Sequence, residues 1–206
     1  MRWIGASVVG YALGATLSTA VVGAIARPLS PLAGGMIVVF VFGAVVGMMI
    51  GTAQFVALPR GAVTGPRWIL MTLLGAAVGF SVAAVVGEAL ANAIDPTLSV
   101  AIGGGVIQVT SGAALGLGIG SAQWIVLPRQ LRMGRSWIVS NVVGAGLGYG
   151  AAIGVLELLE VPILKTNLMS SFGAILGLFV GAAQALVLWP GRRRALSPGA
   201  SHGERE

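Results

Sequence analysis

Six uninterrupted apolar stretches constrain this chain more than any motif in it. They fall near residues 3–26, 34–58, 67–93, 98–127, 136–159 and 167–189. A hydrocarbon core about 30 Å thick takes about 20 helical residues to cross, and each stretch is long enough. Inside lipid a backbone amide has no water to bond, so each stretch must satisfy itself as a continuous helix despite its glycines. With 56% of its 206 residues hydrophobic and only 9% charged, the chain lacks the polar residues that would clothe a soluble core. The expectation is an all-α integral membrane protein with six transmembrane helices. Prolines fall at the ends of the stretches (Pro28, Pro31, Pro59, Pro66, Pro96, Pro128, Pro162 and Pro190), where a missing N–H costs little.

The charges orient these spans. Arg2, Arg60, Arg67, Arg129, Arg132, Arg135, Arg192, Arg193, Arg194 and Arg205 belong to the N-terminus, the second and fourth connections and the C-terminal tail, while only Arg27 and Lys165 fall on the other side. Such a bias in short connections predicts that both termini are cytoplasmic. It also accounts for the net charge of +6 without nucleic acid, because the basic residues separate apolar spans instead of lining a polar face. Trp3, Trp68 and Trp137 open the odd-numbered spans, and Trp124 and Trp189 close two even-numbered ones, as an interfacial aromatic belt would. The start, Met1-Arg2 and an apolar run to Ala24-Ile25-Ala26, has features of a secretory signal, but the run is long and carries the internal repeat. It is read as a retained span.

That repeat has two halves. Gly43, Gly47, Gly51, Gln54 and Leu58 recur at the same spacing as Gly112, Gly116, Gly120, Gln123 and Leu127, and as Gly173, Gly177, Gly181, Gln184 and Leu188. At about 100° per residue the five positions fall within an arc of roughly 80°, one helical face. In the odd spans Trp3-Ile4, Trp68-Ile69 and Trp137-Ile138 are each followed at +7 and +11 by glycines: Gly10 and Gly14, Gly75 and Gly79, Gly144 and Gly148. The unit is therefore a hairpin. Three parallel tandem hairpins (residues 1–60, 61–130 and 131–190) predict one pseudo-threefold six-helix domain over 1–190, followed by a disordered cytoplasmic tail over 191–206. Parallel repeats differ from the inverted repeats of many alternating-access transporters.

The pairing of Gly-x-x-Gln-(Phe/Trp)-x-x-Leu with a following Trp-Ile resembles a class of bacterial multi-spanning membrane proteins in which Gln-Trp motifs recur. The resemblance covers residues 1–190 and implies no assigned activity. This chain departs from the pattern at Phe55 and Ala185, where tryptophan would stand, and at its third unit, which ends Leu188-Trp189-Pro190.

The candidate residues follow from these faces. In lipid no hydrophobic effect draws helices together, so small residues that admit close backbone approach do that work, and the nine glycines of the even spans are the expected packing seam. Gln54, Gln123 and Gln184 each precede a helix-ending leucine by four residues. Their plainer role is interhelical hydrogen bonding, at about 0.6 to 2 kcal/mol each. The sharper one is a polar ring at the mouth of a narrow pore, with Thr52, Gln108, Thr110, Ser111, Ser121 and Asn141 as further liners. Glu88 and Glu157 each stand 20 residues after a tryptophan, a rise of about 30 Å, and so reach the outer interface. Glu160 and Asp95 lie on the same side. Intramembrane acids otherwise mark ion paths, which makes the pair candidates for one.

There is no cysteine, the one histidine is His202 in the tail, and the one lysine is Lys165 in an outer connection. No histidine within a span, no buried Schiff-base lysine, no paired aspartates, no metal-ligand cluster and no phosphate loop is evident, and no enzyme activity, metal or cofactor is expected. The reading is a non-catalytic helix-packing or interaction component of the cytoplasmic membrane. Its partners would be the lipid bilayer and another copy of itself or a second membrane protein. The alternative is a narrow channel or permease for a small solute or ion.

Overall fold

The computed structural model describes residues 1–25, 31–58, 63–94, 100–127, 135–159 and 166–195, with side chains described for all of these except 31–34, 100–102, 166–168 and 189–195. Among them are six α-helices and no strand: α1 (Arg2–Ile25), α2 (Pro31–Ala57), α3 (Gly65–Ala93), α4 (Val100–Val126), α5 (Ser136–Leu158) and α6 (Thr166–Ala195). Every helix contains a segment of 20 to 29 residues long and apolar enough to span a membrane. Large apolar side chains such as Val9, Leu13, Leu74, Leu117, Leu147 and Leu178 remain exposed along the helices, a surface suited to lipid and unsuited to water.

Proline places two of the helix starts. Pro31 begins α2, and Pro66 sits in the first turn of α3, where its missing N–H has no helical partner to lose. The last boundary differs from the expectation. Helix α6 runs through Pro190 to Ala195 instead of stopping near residue 189. Proline removes one bond to the carbonyl four residues earlier but leaves the rest of the ladder intact, so near a helix end it is tolerated. Pro28, Pro59, Pro96, Pro128 and Pro162 lie outside the described residues, as do Arg27, Arg60, Arg129, Arg132, Lys165, Asp95 and Glu160.

Each helix packs chiefly against its two chain neighbours, and α1 packs against α6, so the six close into a ring. Glycine stands at every joint. A methyl group added at Gly10 or Gly14 of α1 would lie 2.8 to 2.9 Å from the Cα atoms of Ile50 and Val46 in α2. Gly75 and Gly79 of α3 meet Ile119 and Leu115 of α4, and Gly144 and Gly148 of α5 meet Val180 and Leu176 of α6. The even helices pass the pattern on. Gly43, Gly47 and Gly51 of α2 abut Ala76–Ala77, Thr72–Leu73 and Ile69 of α3. Gly112, Gly116 and Gly120 of α4 abut Ala145, Asn141 and Ile138 of α5, and Gly173, Gly177 and Gly181 of α6 abut Tyr11, Ser7 and Ile4 of α1.

Each helix thus turns its repeat glycines toward the next helix around the ring, with the last serving the first, while Gly118 of α4 and Gly146 of α5 meet the helix before. The seams run sideways between neighbours and do not line the centre. Longer side chains adjoining them on the same helices are free to turn inward, and there the core forms.

Candidate functional site

The three glutamines meet inside the ring. Gln54, Gln123 and Gln184 are fully buried. The Gln123 carboxamide Nε2 donates to Gln54 Oε1 at 2.8 Å, and Gln54 Nε2 donates to Gln184 Oε1 at 3.3 Å. Helices α2, α4 and α6 are not ring neighbours, so these contacts cross the centre.

A second set of partners comes from the odd helices, from the position four residues after each opening tryptophan. Gln54 Nε2 donates to Ser7 Oγ at 3.2 Å, Gln123 Nε2 to Thr72 Oγ1 at 3.1 Å, and Gln184 Nε2 to Asn141 Oδ1 at 2.8 Å. Thr72 and Asn141 are themselves held in place, because each donates to the backbone carbonyl of the tryptophan one turn earlier, Trp68 and Trp137 respectively. Sequence reasoning passed over Ser7 and Thr72 and took Asn141 only as a pore liner. The signal was available, since a polar residue follows all three Trp-Ile pairs at the same spacing.

The tryptophans differ from their expected place. Trp3, Trp68 and Trp137 are buried, not spread along an interface, and their rings meet pairwise edge to face with centroids 6.0 to 6.4 Å apart. Such contacts favour aromatic rings beyond the area they bury. The cause is the face: each tryptophan opens the helix side that the bundle turns inward, so the belt position at the helix end is overridden by packing. Trp3 Nε1 also donates to Gln184 Oε1 at 2.9 Å, which ties α1 to α6 across the ring closure. Leu127 completes this cluster, with Leu58, Trp124 and Leu188 packed against it. Side-chain detail for Trp189 lies outside the described residues.

Below the glutamines the centre is aliphatic. Four residues earlier on each even helix stand Ile50, Ile119 and Val180, and eight earlier Val46, Leu115 and Leu176, all nearly inaccessible and in one cluster with Tyr11 and Phe172. From the end at which α1 begins and α6 ends, the centre is therefore occupied in turn by indole rings, carboxamides and two tiers of branched aliphatic side chains. Of the polar residues that the sequence offers as pore liners, Thr52 is exposed on the outside and bonds its own helix at Met48 O, while Gln108, Thr110 and Ser121 are half-buried.

Not every polar atom in the cluster is satisfied. Gln123 Oε1, Trp68 Nε1, Trp137 Nε1 and the Tyr11 hydroxyl are buried with no hydrogen-bond partner. A buried unpaired donor or acceptor costs about 1–3 kcal/mol, so the network is incomplete on the Gln123 side and closed on the Gln184 side.

The structure separates the two acids. Both are exposed, but Glu88 borders a cavity of about 380 Å³ in the half of the bundle remote from the termini, whereas Glu157 stands apart from it on α5. Among the described residues no group of histidine, cysteine, aspartate and glutamate could hold a metal ion. No protein-family model, curated protein or solved structure matches this chain.

Proposed function

We propose that this chain is a non-catalytic, multi-pass protein of the cytoplasmic membrane, built from three tandem hairpins about a pseudo-threefold axis and sealed along that axis. One observation carries the reading: indole, carboxamide and aliphatic side chains from all three hairpins meet at successive levels of the centre. The repeated relation between glutamine and the residue four after its own hairpin's tryptophan supports the threefold arrangement. So does the handing-on of glycine seams from each helix to the next.

A sealed centre argues for work done at the surfaces. The apolar flanks face lipid and offer a second copy, or another membrane protein, the only kind of contact such faces make. The placement of ten arginines supports cytoplasmic termini, and the lack of histidine, cysteine and lysine within the spans supports a role without catalysis. Purification from native membranes should return the chain with a reproducible membrane partner or as an oligomer.

The second reading, a narrow channel or permease, draws on the converging carboxamides and their unpaired neighbours, which could serve as a gate. Two aliphatic tiers next to them would have to part before a polar solute passed. Ion and small-solute flux in proteoliposomes decides between the readings. The sealed bundle predicts leakage no greater than in protein-free vesicles, and selective or saturable flux would overturn it.

A further inference from the structure

The cavity beside Glu88 has a cause that can be read from the repeat. Twelve residues before each glutamine stand Phe42, Ser111 and Phe172. Twelve after each opening tryptophan stand Ala15, Phe80 and Tyr149. Phe42 packs edge to face on Phe80 at 5.2 Å, and Phe172 on Tyr149 at 5.1 Å. In the middle hairpin the phenyl ring is replaced by the small Ser111, and a cavity of about 380 Å³ opens there. Its walls come from α2, α3, α4 and α5, and because α2 and α5 are not ring neighbours the space lies inside the ring. Gly87 keeps the approach to Ser111 clear, since a methyl group there would come within 3.0 Å of Ser111 Oγ.

The chemistry of the lining is specific. Phe42, Phe80 and Tyr149 supply aromatic surface, Ser111 a buried hydroxyl, and Glu88 the one carboxylate. Among the described residues no cation pairs with Glu88. A site of this size, mostly apolar with one anionic group, takes a small molecule with an apolar body. Aromatic faces attract a cation through their quadrupole, and a carboxylate at the edge of a low-dielectric space attracts one through its charge. We propose that this cavity is a binding site for a small organic cation, an amine or quaternary ammonium with an apolar body, entering from the side remote from the termini. The site is separate from the glutamine cluster and does not depend on whether the centre conducts.

The test uses the full-length protein in lipid nanodiscs and titration calorimetry with benzyltrimethylammonium, compared with its uncharged carbon isostere neopentylbenzene. The wild type should bind the cation saturably, at one site per chain, and favour it over the isostere by roughly tenfold or more. Glu88→Gln should cut that preference several-fold, leaving only the part due to the aromatic faces, and Glu157→Gln should leave it unchanged. Ser111→Phe restores the aromatic found in the other two hairpins and should abolish binding of both compounds while the thermal midpoint holds or rises. Equal affinity for cation and isostere would show a lipid-like cavity and overturn the proposal, as would absent saturable binding to the wild type. Binding that survives Ser111→Phe would place the cation elsewhere and overturn it equally. If Ser111→Phe fails to fold, Gly87→Leu, which fills the same space from α3, provides the same comparison.

Discussion

Replacing each glutamine by leucine in turn should give three different costs, and the differences follow from counting partners left without a bond. Gln184→Leu strips Trp3 Nε1 of its acceptor and Asn141 Oδ1 of the Gln184 donor, while Gln54 Nε2 keeps Ser7. Two buried polar atoms are orphaned. In Gln54→Leu, Gln123 Nε2 keeps Thr72 and Gln184 Oε1 keeps Trp3, so only Ser7 Oγ loses its partner. In Gln123→Leu, Gln54 Oε1 is orphaned, but the unpaired Gln123 Oε1 disappears with the substitution, so the number of orphans does not change. With about 1–2 kcal/mol for each orphan in a membrane interior, the expected losses are about 2–4 kcal/mol for Gln184→Leu, about 1–2 for Gln54→Leu and near zero for Gln123→Leu. Leucine is close to glutamine in size, which keeps cavity terms small. Reversible unfolding in mixed detergent micelles, followed by circular dichroism, measures all three on one scale. Equal losses, or Gln123→Leu as the most damaging of the set, would refute the partner-counting argument and with it the asymmetry of the network.

Two further outcomes are expected. Gly47→Leu should destabilise the bundle by about 3 kcal/mol or more, because its Cβ would sit 2.6 Å from Thr72 O and 2.7 Å from Leu73 Cα, both backbone atoms of α3 that cannot turn aside. Gly154→Ala, where nothing lies within 4 Å, should be neutral or slightly stabilising, and thermal denaturation in one detergent compares the two. The chain has no cysteine, so single cysteines at Ser30 and Ser197 can report orientation: an impermeant maleimide added to intact cells should label the first and miss the second.

Much of this arrangement is legible from residue spacing, and what is not shares one cause. Hydropathy and helix length locate the six spans within a few residues, because lipid leaves a chain few other options. Periodicity puts Gly43, Gly47, Gly51 and Gln54 on one face and sets the depth of the glutamine. It is silent about which neighbour that face meets. A helix in a ring has two neighbours and a centre within reach of the same arc, so the glycines could have pointed at any of the three. They point at the following helix, and the longer Gln54 side chain reaches past that contact to the centre. Trp3, Trp68 and Trp137 were misplaced for the same reason. Their position near helix ends suits an interface, and only the packing of α1, α3 and α5 shows that their faces converge. The cavity is not legible in the sequence because it depends on Ser111 standing where α2 and α6 carry Phe42 and Phe172, which means nothing until the even helices are compared level by level.

The unequal sharing of hydrogen bonds has a structural logic of its own. Five of the six joints in the ring connect helices adjacent in sequence, and a short connection brings each pair together. The sixth, α6 on α1, must be found across the whole chain, and the Trp3 to Gln184 bond made there spans 181 positions. Glycine seams alone specify such a closure poorly, since Gly173, Gly177 and Gly181 have the same spacing as the seams of α2 and α4. A polar contact that leaves buried atoms unpaired unless the right helix arrives discriminates more sharply than dispersion does. Gln184 makes that contact once, accepting from Trp3, and it also accepts from Gln54 and donates to Asn141 so that both its polar atoms are bonded, whereas Gln123, at a joint already fixed by short connections, is left with an unpaired oxygen. The amide network is thus strongest where the chain gives least help, and it favours the closed ring over any arrangement in which α6 meets the wrong neighbour.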